Sequence, residues 1–291
     1  MKLNLSYILF ILLILSCNQN SNRTGIDANE LDSLNIEGPK KVLTSSDTIG
    51  TGLPIFYNMY LSVEMTSLFE TVGAIFNDDL LNTADNTSDY ITSSKKAMNI
   101  GVYAVDLSYC RVFEQFELAG RYFTSMQKLA EEMGIPSDYF INTAKRFDRN
   151  ISDKDSLISI ANEVYVATDK YLKDNEQFNA AAQIILGGWI EAMHIAFDVA
   201  STTKDVEILE RVAEQKYSLQ NLIEMLKSYK DDEVTGYYID KLNALQTQFN
   251  DFKVDVPSDF DVNSVEGKKH LNNYIKQIEG LKKSINESVK K

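Results

Sequence analysis

The sequence is poor in the residues that bind metals and build redox centres. Its 291 residues include only two Cys and two His. Zinc sites built from Cys and His, haem sites, iron–sulfur clusters and dithiol redox centres all depend on these side chains. The sequence therefore predicts neither a cofactor nor a metal site, and an enzyme is the least favoured class of function.

Basic residues are also scarce relative to acidic ones. Twenty-nine Lys and Arg stand against 42 Asp and Glu, which gives a formal net charge of −13. A surface of this sign repels phosphate backbones and anionic lipid headgroups. The only basic cluster is a short Lys-rich tail, Lys282-Lys283 and Lys290-Lys291. We therefore expect no nucleic-acid partner.

The clearest positive feature is an apolar run near residue 1. Lys2 precedes a mostly apolar stretch from Leu3 to Leu15, which Ser16 and Cys17 follow. This arrangement is typical of a secretory signal. A transmembrane helix is the alternative, but the run is shorter than the ~20 residues that a bilayer core requires. The end of the run resembles a bacterial lipobox, which implies that residues 1–17 are a lipoprotein signal peptide and that Cys17 is acylated.

The segment after Cys17 has the composition of a tether. Residues 18–51 are rich in Asn, Ser, Thr, Gly and Asp and have no sustained apolar period, which predicts a flexible chain. A flexible chain of this length reaches roughly 30 Å. Two or more acyl chains on Cys17 would anchor the protein stably to a membrane. The membrane is therefore an expected partner, and the folded domain should lie near it without spanning it.

From Pro54 onward, apolar residues recur at helical spacing almost everywhere. No alternating strand pattern competes, so the predicted fold is all-α: a multi-helix antiparallel bundle. Residues 52–253 should form the bundle domain, and residues 254–291 a linker and a C-terminal helix packed on it. The predicted helices cover residues 54–81, 92–133 with a break near 114–116, 152–172, 177–200, 204–229, 238–252 and 271–289.

Two of these helices contain similar motifs. Residues 101–107 and 187–193 share a glycine, an aromatic residue two positions later and an apolar residue four positions after that. Glycine inside a helix costs about 1 kcal/mol relative to alanine, so Gly187 and Gly188 predict a close helix crossing. The repetition makes a pseudo-duplicated bundle one arrangement to be tested, beside a bundle without internal repeats.

Polar residues on two helical faces are candidates for a site. Lys95, Asn99, Tyr103 and Asp106 advance along one face by four, four and three positions. Such a face is either a buried hydrogen-bonded network that fixes helix register or the wall of a ligand pocket with an aromatic lining. The full candidate set is Lys95, Asn99, Tyr103, Asp106, Tyr109, Trp189, Glu191 and His194.

No set of catalytic residues is predicted. Glu191 and His194 have the Glu-x-x-His spacing of di-iron bundles, but that site requires a second copy, and His270 has Gly267 three positions before it. The sequence has no Gly-x-Ser-x-Gly elbow and no phosphate-binding glycine loop. Cys110 is expected to be a small buried apolar side chain rather than a nucleophile.

Three phrases carry a resemblance to a known family. Residues 96–109 (KAMNIGVYAVDLSY), 129–135 (LAEEMGI) and 187–191 (GGWIE) resemble exported lipoproteins that are common in Bacteroidetes and have no assigned activity. The likeness spans roughly residues 54–230 and implies an all-helical, lipid-anchored protein. Members on the cell surface tend to carry acidic residues directly after the acylated Cys. Here residues 18–22 are Asn-Gln-Asn-Ser-Asn, so we expect attachment to the outer membrane facing the periplasm.

The predicted tether also contains two short modification motifs. Asp32-Ser33-Leu34 and Asp47-Thr48-Ile49 resemble the Asp-Ser/Thr-aliphatic sites at which exported Bacteroidetes proteins are O-glycosylated. Ser33 and Thr48 are thus candidate glycosylation sites, although residues 155–157 match the same pattern.

The sequence as a whole predicts a non-enzymatic, lipid-anchored envelope protein with an acidic helical domain. Such a protein would act through contacts with another envelope protein. The alternative is a binding module for a small amphipathic or aromatic ligand.

Overall fold

Helices account for nearly all the regular structure that the computed structural model describes. It describes residues 68–136, 171–172, 174–254 and 261–286, all within one compact unit. No β-strand occurs in these ranges, so the all-α prediction is confirmed. Cys17, Ser33, Thr48 and nearly all of the predicted helix 152–172 lie outside the described residues.

Six long helices follow one another along the described chain, and the sequence pattern predicted each of them. Four of them begin after a Thr, Asp or Ser side chain that accepts an amide hydrogen bond of the first turn. Short 3-10 turns cover Asp78–Leu80, Asn86–Asp89 and Lys227–Tyr229. The long helices are α1 (Ser93–Val112), α2 (Phe116–Glu132), α3 (Phe178–Thr203), α4 (Val206–Leu226), α5 (Glu233–Asp251) and α6 (Val265–Ser284).

The break between α1 and α2 lies where the sequence predicted it. Glu114 adopts a left-handed backbone conformation with φ of 59°. The Gln115 amide then donates to the carbonyl of Cys110 at 2.8 Å, which ends α1 and reverses the chain. Lys96 near the start of α1 pairs with Glu132 at the end of α2 at 2.9 Å, so the two helices are antiparallel.

The predicted helix over residues 54–81 is wrong in its last ten residues. Gly73 has φ of +72°, and the amides of Gly73 and Ala74 donate to the carbonyls of Glu70 and Phe69. This Schellman arrangement ends the helix, because it satisfies carbonyls that a further turn would have used. Residues 74–77 are not helical, and Ile75 is 86% exposed although it fits the apolar period.

The central element of the bundle is α3, which is buried on nearly all sides. Among the described helices it alone is long and apolar enough to cross a membrane. However, 83% of its most apolar 18-residue segment is buried inside the protein. This burial is typical of the core helix of a globular domain.

The predicted close crossing occurs between α1 and α3. A Cβ atom on Gly101 would overlap the carbonyl oxygen of Ile184, and a Cβ atom on Gly187 would overlap the carbonyl oxygen of Met98. A Cβ atom on Gly188 would lie 3.4 Å from the carbonyl oxygen of Gly101. Glycine is therefore needed at positions 101 and 187, because the two backbones are in direct contact.

The helices that are not consecutive do not all run antiparallel. Gly101 lies against Ile184 and Gly188 in the middle of α3. Farther along α1, burial raises the pKa of Tyr109, and the carboxylate of Asp198, near the end of α3, adds to the increase. The helices α1 and α3 therefore run in the same direction. A two-fold axis along the bundle would place the two glycine motifs in contact on parallel helices, as they are here. The internal duplication itself stays a prediction.

The last helix is attached to the polar face of α3. The Nζ atom of Lys282 lies 2.8 Å from a carboxylate oxygen of Asp198. The ring nitrogen Nδ1 of His194 lies 2.6 Å from Oδ1 of Asn286 and donates to it. These two contacts set α6 antiparallel to α3, with buried Ile278 between apolar neighbours.

Candidate functional site

A polar segment before α1 lies along the first two helices. We call residues 77–90 the strap. The amide of Asn77 donates to the hydroxyl of Tyr109 at 3.0 Å, and contacts of residues 82 and 83 follow at Asp106 and Tyr103. The strap therefore runs antiparallel to α1, between α1 and α2.

Three successive carbonyl groups of the strap, those of residues 82–84, accept hydrogen bonds from side-chain hydroxyls. Tyr122 donates to the carbonyl of residue 82 at 2.5 Å, Tyr103 to that of residue 83 at 2.9 Å, and Ser125 to that of residue 84 at 2.6 Å. All three donors are buried. A buried backbone carbonyl without a partner is costly, so these hydroxyls are what allows an irregular segment to pack here.

Asp106 holds the same part of the strap through a charged group. Its Oδ2 atom accepts hydrogen bonds from the amide and the side-chain nitrogen of Asn82, each at 3.2 Å. The Asp106 side chain is fully buried. A buried carboxylate must be hydrogen-bonded to be tolerated, so Asp106 and Asn82 are a matched pair.

The outer edge of the strap is held by basic residues of α2. Arg121 pairs with Asp85 at 2.5 Å, and Lys128 donates to the hydroxyl of Thr87 at 2.9 Å. The Arg121–Asp85 pair is largely exposed. Exposed ion pairs contribute ~0–1 kcal/mol, so the buried contacts dominate the attachment of the strap.

The residues of the first candidate face therefore lie in two different environments. Tyr103, Asp106 and Tyr109 are fully buried, and each contacts the strap. Lys95 is exposed, and Asn99 donates to the Lys95 carbonyl within its own helix. Lys95 and Asn99 are not brought together with the other three residues.

The second candidate face lies on α3, and Glu191 connects it to the first. Glu191 is fully buried. Burial is the main cause of the raised pKa of Tyr122, and the carboxylates of Asp106 and then Glu191 add to it. Glu191 thus lies near Tyr122, one of the side chains that hold the strap. Trp189 is buried against Phe249, with 6.5 Å between ring centroids, while His194 faces α6.

The raised tyrosine pKa values predict a loss of stability in alkali. Burial raises the pKa of both Tyr103 and Tyr122, with the hydrogen bond to Tyr90 adding at Tyr103 and the carboxylate of Asp106 adding at both, so the two hydroxyls stay neutral in the folded state. An unfolded tyrosine ionises near pH 10, so stability is complete below that pH and falls above it. We expect the urea midpoint to drop between about pH 9 and pH 11. The double variant Tyr103→Phe, Tyr122→Phe should show a shallower drop, and an equal drop in both proteins would contradict the assignment.

Cys110 is predicted to be chemically inert in the folded protein. Its side chain is fully buried, and burial, with the carboxylate of Asp106 adding, raises the pKa of the thiol. The thiolate is the reactive form, so alkylation should require unfolding. Peptide mass spectrometry after iodoacetamide treatment should find Cys110 unmodified in buffer and modified in urea. Rapid modification in buffer would contradict the burial.

Neither metal chemistry nor a known relative gives the site a function. No group of three or more His, Cys, Asp or Glu within the described ranges could hold a metal ion. Comparisons with family models, curated proteins and solved structures give no match for this chain.

Several residues of the site were not anticipated from the sequence. Tyr122 and Ser125 hold the strap, Asn82 is the strap residue that donates to Asp106, and Arg111 is a buried cation on α1. One signal was available: a polar face on a buried helix needs hydrogen-bonding partners. The loop directly before α1 is the segment nearest in sequence whose backbone could supply these partners.

Proposed function

We propose that this chain is a lipid-anchored protein of the cell envelope that acts by binding another protein rather than by catalysis. The observation that carries the proposal is Cys17, placed directly after Ser16 at the end of the apolar run. Acylated Cys17 would attach the chain to the outer membrane on its periplasmic side. Residues 18–51 would serve as the tether between the anchor and the helical domain.

A role through protein contacts is supported by how the polar groups of the domain are used. Tyr103, Asp106 and Tyr109 are the best candidates for chemistry, and all three hydrogen-bond to the strap. Groups engaged in this way hold structure in place instead of facing a substrate. The excess of acidic residues keeps such a domain soluble and steers basic partners towards it.

The anchor is tested by the substitution Cys17→Ala. We expect the variant protein to appear in the soluble fraction and to incorporate no labelled palmitate, because the acylated sulfur is gone. Cys110→Ala is the matched control, since it removes the other cysteine and should leave the protein on the membrane. Membrane association of Cys17→Ala that survives a high-salt wash would overturn the lipoprotein assignment.

The protein contact is tested by crosslinking in intact cells. We expect a discrete crosslinked species with the full chain. A fusion of residues 1–51 to an unrelated domain should lack it, because the fusion keeps the anchor and loses the bundle. Identical crosslinked species from both proteins would show that the anchor alone determines the neighbours.

A small amphipathic or aromatic ligand is the second candidate, and one observation favours it. The indole N–H of Trp189 is buried and has no hydrogen-bond acceptor among the described residues. A bound water or a small ligand with an acceptor atom would satisfy it. Trp189 is the only tryptophan, so a saturable change in its fluorescence on titration with indole or phenol would support this function. An unchanged spectrum would count against it.

A further inference from the structure

The last helix is basic, although the protein as a whole is strongly acidic. The sequence of α6 contains five lysines and two glutamates, whereas the whole chain has a formal net charge of −13. One of these lysines, Lys282, is attached to the bundle through its ion pair with Asp198. The other four are exposed. On α6 the protein therefore presents to solvent a surface whose sign is opposite to its net charge.

Three of the exposed lysines form a row along the helix. Lys269, Lys276 and Lys283 are seven residues apart, which is almost two helical turns, so their side chains project from one face. We call these three residues the lysine row. Val265, which is 88% exposed, lies in line with the row at the start of α6, and the buried residues of α6 lie on the opposite face. From Val265 to Lys283 this face extends about 27 Å.

The lysine row has few anionic partners within the protein. Lys276 and Lys283 have no carboxylate partner among the described residues, although the chain contains 42 acidic residues. Lys269 pairs with Glu266 at 3.6 Å, and both side chains are largely exposed. An exposed pair of this kind is weak, so an external anion can compete for Lys269. Glu279 is the only other acidic residue of α6, so this face keeps a net positive charge.

The chain enters the described part of the domain near α6. Residue 68 is the first described residue, and the ring of Phe69 lies 6.2 Å from the ring of Tyr109. Burial raises the pKa of Tyr109, and the carboxylate of Asp198 adds to the increase, so these two side chains are near each other. Asp198 in turn pairs with Lys282 of α6. The segment that follows the proposed tether and the last helix therefore meet the bundle near the same end of α3.

We propose that the exposed face of α6 lies on the anionic phospholipid headgroups of the membrane to which Cys17 anchors the chain. This inference rests on the proposed function and adds the orientation of the domain. Residues 18–51 reach roughly 30 Å as a flexible tether, which keeps the domain close to the headgroups. The lysine row would contact the lipid phosphates, and Val265 would enter the boundary between headgroups and acyl chains.

The net negative charge of the protein does not prevent this contact. A helix is about 10 Å across, so charges on the helices behind α6 are farther from the headgroups than the Debye length of about 8 Å at physiological salt. Their repulsion is largely screened, and the charge on the exposed face of α6 determines the attraction.

Amine footprinting on vesicles tests this orientation. The full-length acylated protein is reconstituted into vesicles of phosphatidylcholine, or of equal parts of phosphatidylcholine and phosphatidylglycerol, isolated by flotation and acetylated with an amine-reactive ester. We expect Lys276 and Lys283 to react at least about threefold more slowly on the anionic vesicles, and high salt should remove the difference. Lys95 and Lys230, which are exposed near the starts of α1 and α5, should react equally on both.

Trp189 provides a second readout, because it is the only tryptophan and lies in the core of the bundle. Energy transfer from Trp189 to a dansyl-labelled lipid should be stronger on anionic vesicles than on neutral ones. The variant Lys276→Gln, Lys283→Gln should lose most of this difference. The variant Lys95→Gln, Lys230→Gln removes the same charge elsewhere, so it is the matched control and should keep the difference.

The outcomes distinguish this inference from the anchor. A protein that floats with both kinds of vesicle but has an unprotected lysine row would refute the inference, leave the anchor in place and favour an acidic protein as the partner of α6. A protein that floats with neither kind would refute the anchor and this inference together. Equal protection of the lysine row on neutral and anionic vesicles would also overturn the inference, because the charge of the headgroups would then have no effect.

Discussion

Gly101→Ala should lower the free energy of unfolding by more than about 3 kcal/mol. The added methyl group would overlap the carbonyl oxygen of Ile184, which belongs to the backbone of α3 and cannot rotate away. The two helices must therefore separate, and the contacts around the crossing loosen with them. Urea unfolding of the full chain, followed by far-UV circular dichroism, measures the loss.

Two further variants make this result specific to the crossing. Gly280→Ala lies within α6, where a Cβ atom would meet nothing within 4 Å. It should stabilise the protein by about 0.5–1 kcal/mol through helix propensity. Gly187→Ala lies at the same crossing, so its effect combined with Gly101→Ala should be smaller than the sum of the two. A Gly101→Ala protein as stable as the wild type would contradict the close approach of α1 and α3.

Asp106→Ala should cost about 2–4 kcal/mol of stability. The substitution removes the acceptor for the amide and the side-chain nitrogen of Asn82 and leaves a cavity beside them. Asp240→Ala removes an exposed acidic residue from α5 and should change stability by less than about 0.5 kcal/mol. The comparison separates the loss of a buried acceptor from the loss of a negative charge.

The position of the damage can be measured as well as its size. Hydrogen exchange should show the greatest loss of protection at the amides of Asn77 and Asn82, because both lie in the segment that Asp106 helps to hold. If Asp106→Ala and Asp240→Ala cost the same, the strap does not depend on this carboxylate. Uniform loss of protection across all helices would lead to the same conclusion.

The helices could be predicted because their determinants are local. Apolar spacing, capping residues and the left-handed Glu114 mark the bounds of α1 and α2, and the paired glycines indicated the crossing. The end of the helix before the strap was missed for a physical reason. Val72, Ile75 and Phe76 continue a helical period, but Gly73 ends the helix, and Phe76 instead stacks on Tyr109 at 5.5 Å.

Only the side chains on α1, and not the backbone groups that they bind, could be predicted from the sequence. Tyr103 and Asp106 could be identified, because polar residues on an apolar helix face stand out. Their main-chain partners in residues 82 and 83 could not, because every sequence has such atoms. Only the path of the chain in three dimensions shows which backbone segment lies against Tyr103 and Asp106.

For an exported chain, as proposed above, the position of Glu191 would have a consequence during secretion. An exported chain passes through the translocon before it folds, and a helix with the length and hydropathy of α3 could then leave the channel sideways into lipid. Glu191 lies at the midpoint of α3. An acidic or basic residue near the centre of an inserting helix costs about 2.5–3.5 kcal/mol on the scale measured for aspartate, lysine and arginine. The carboxylate of Glu191, which is buried in the folded protein, would thus oppose insertion of α3 into the bilayer.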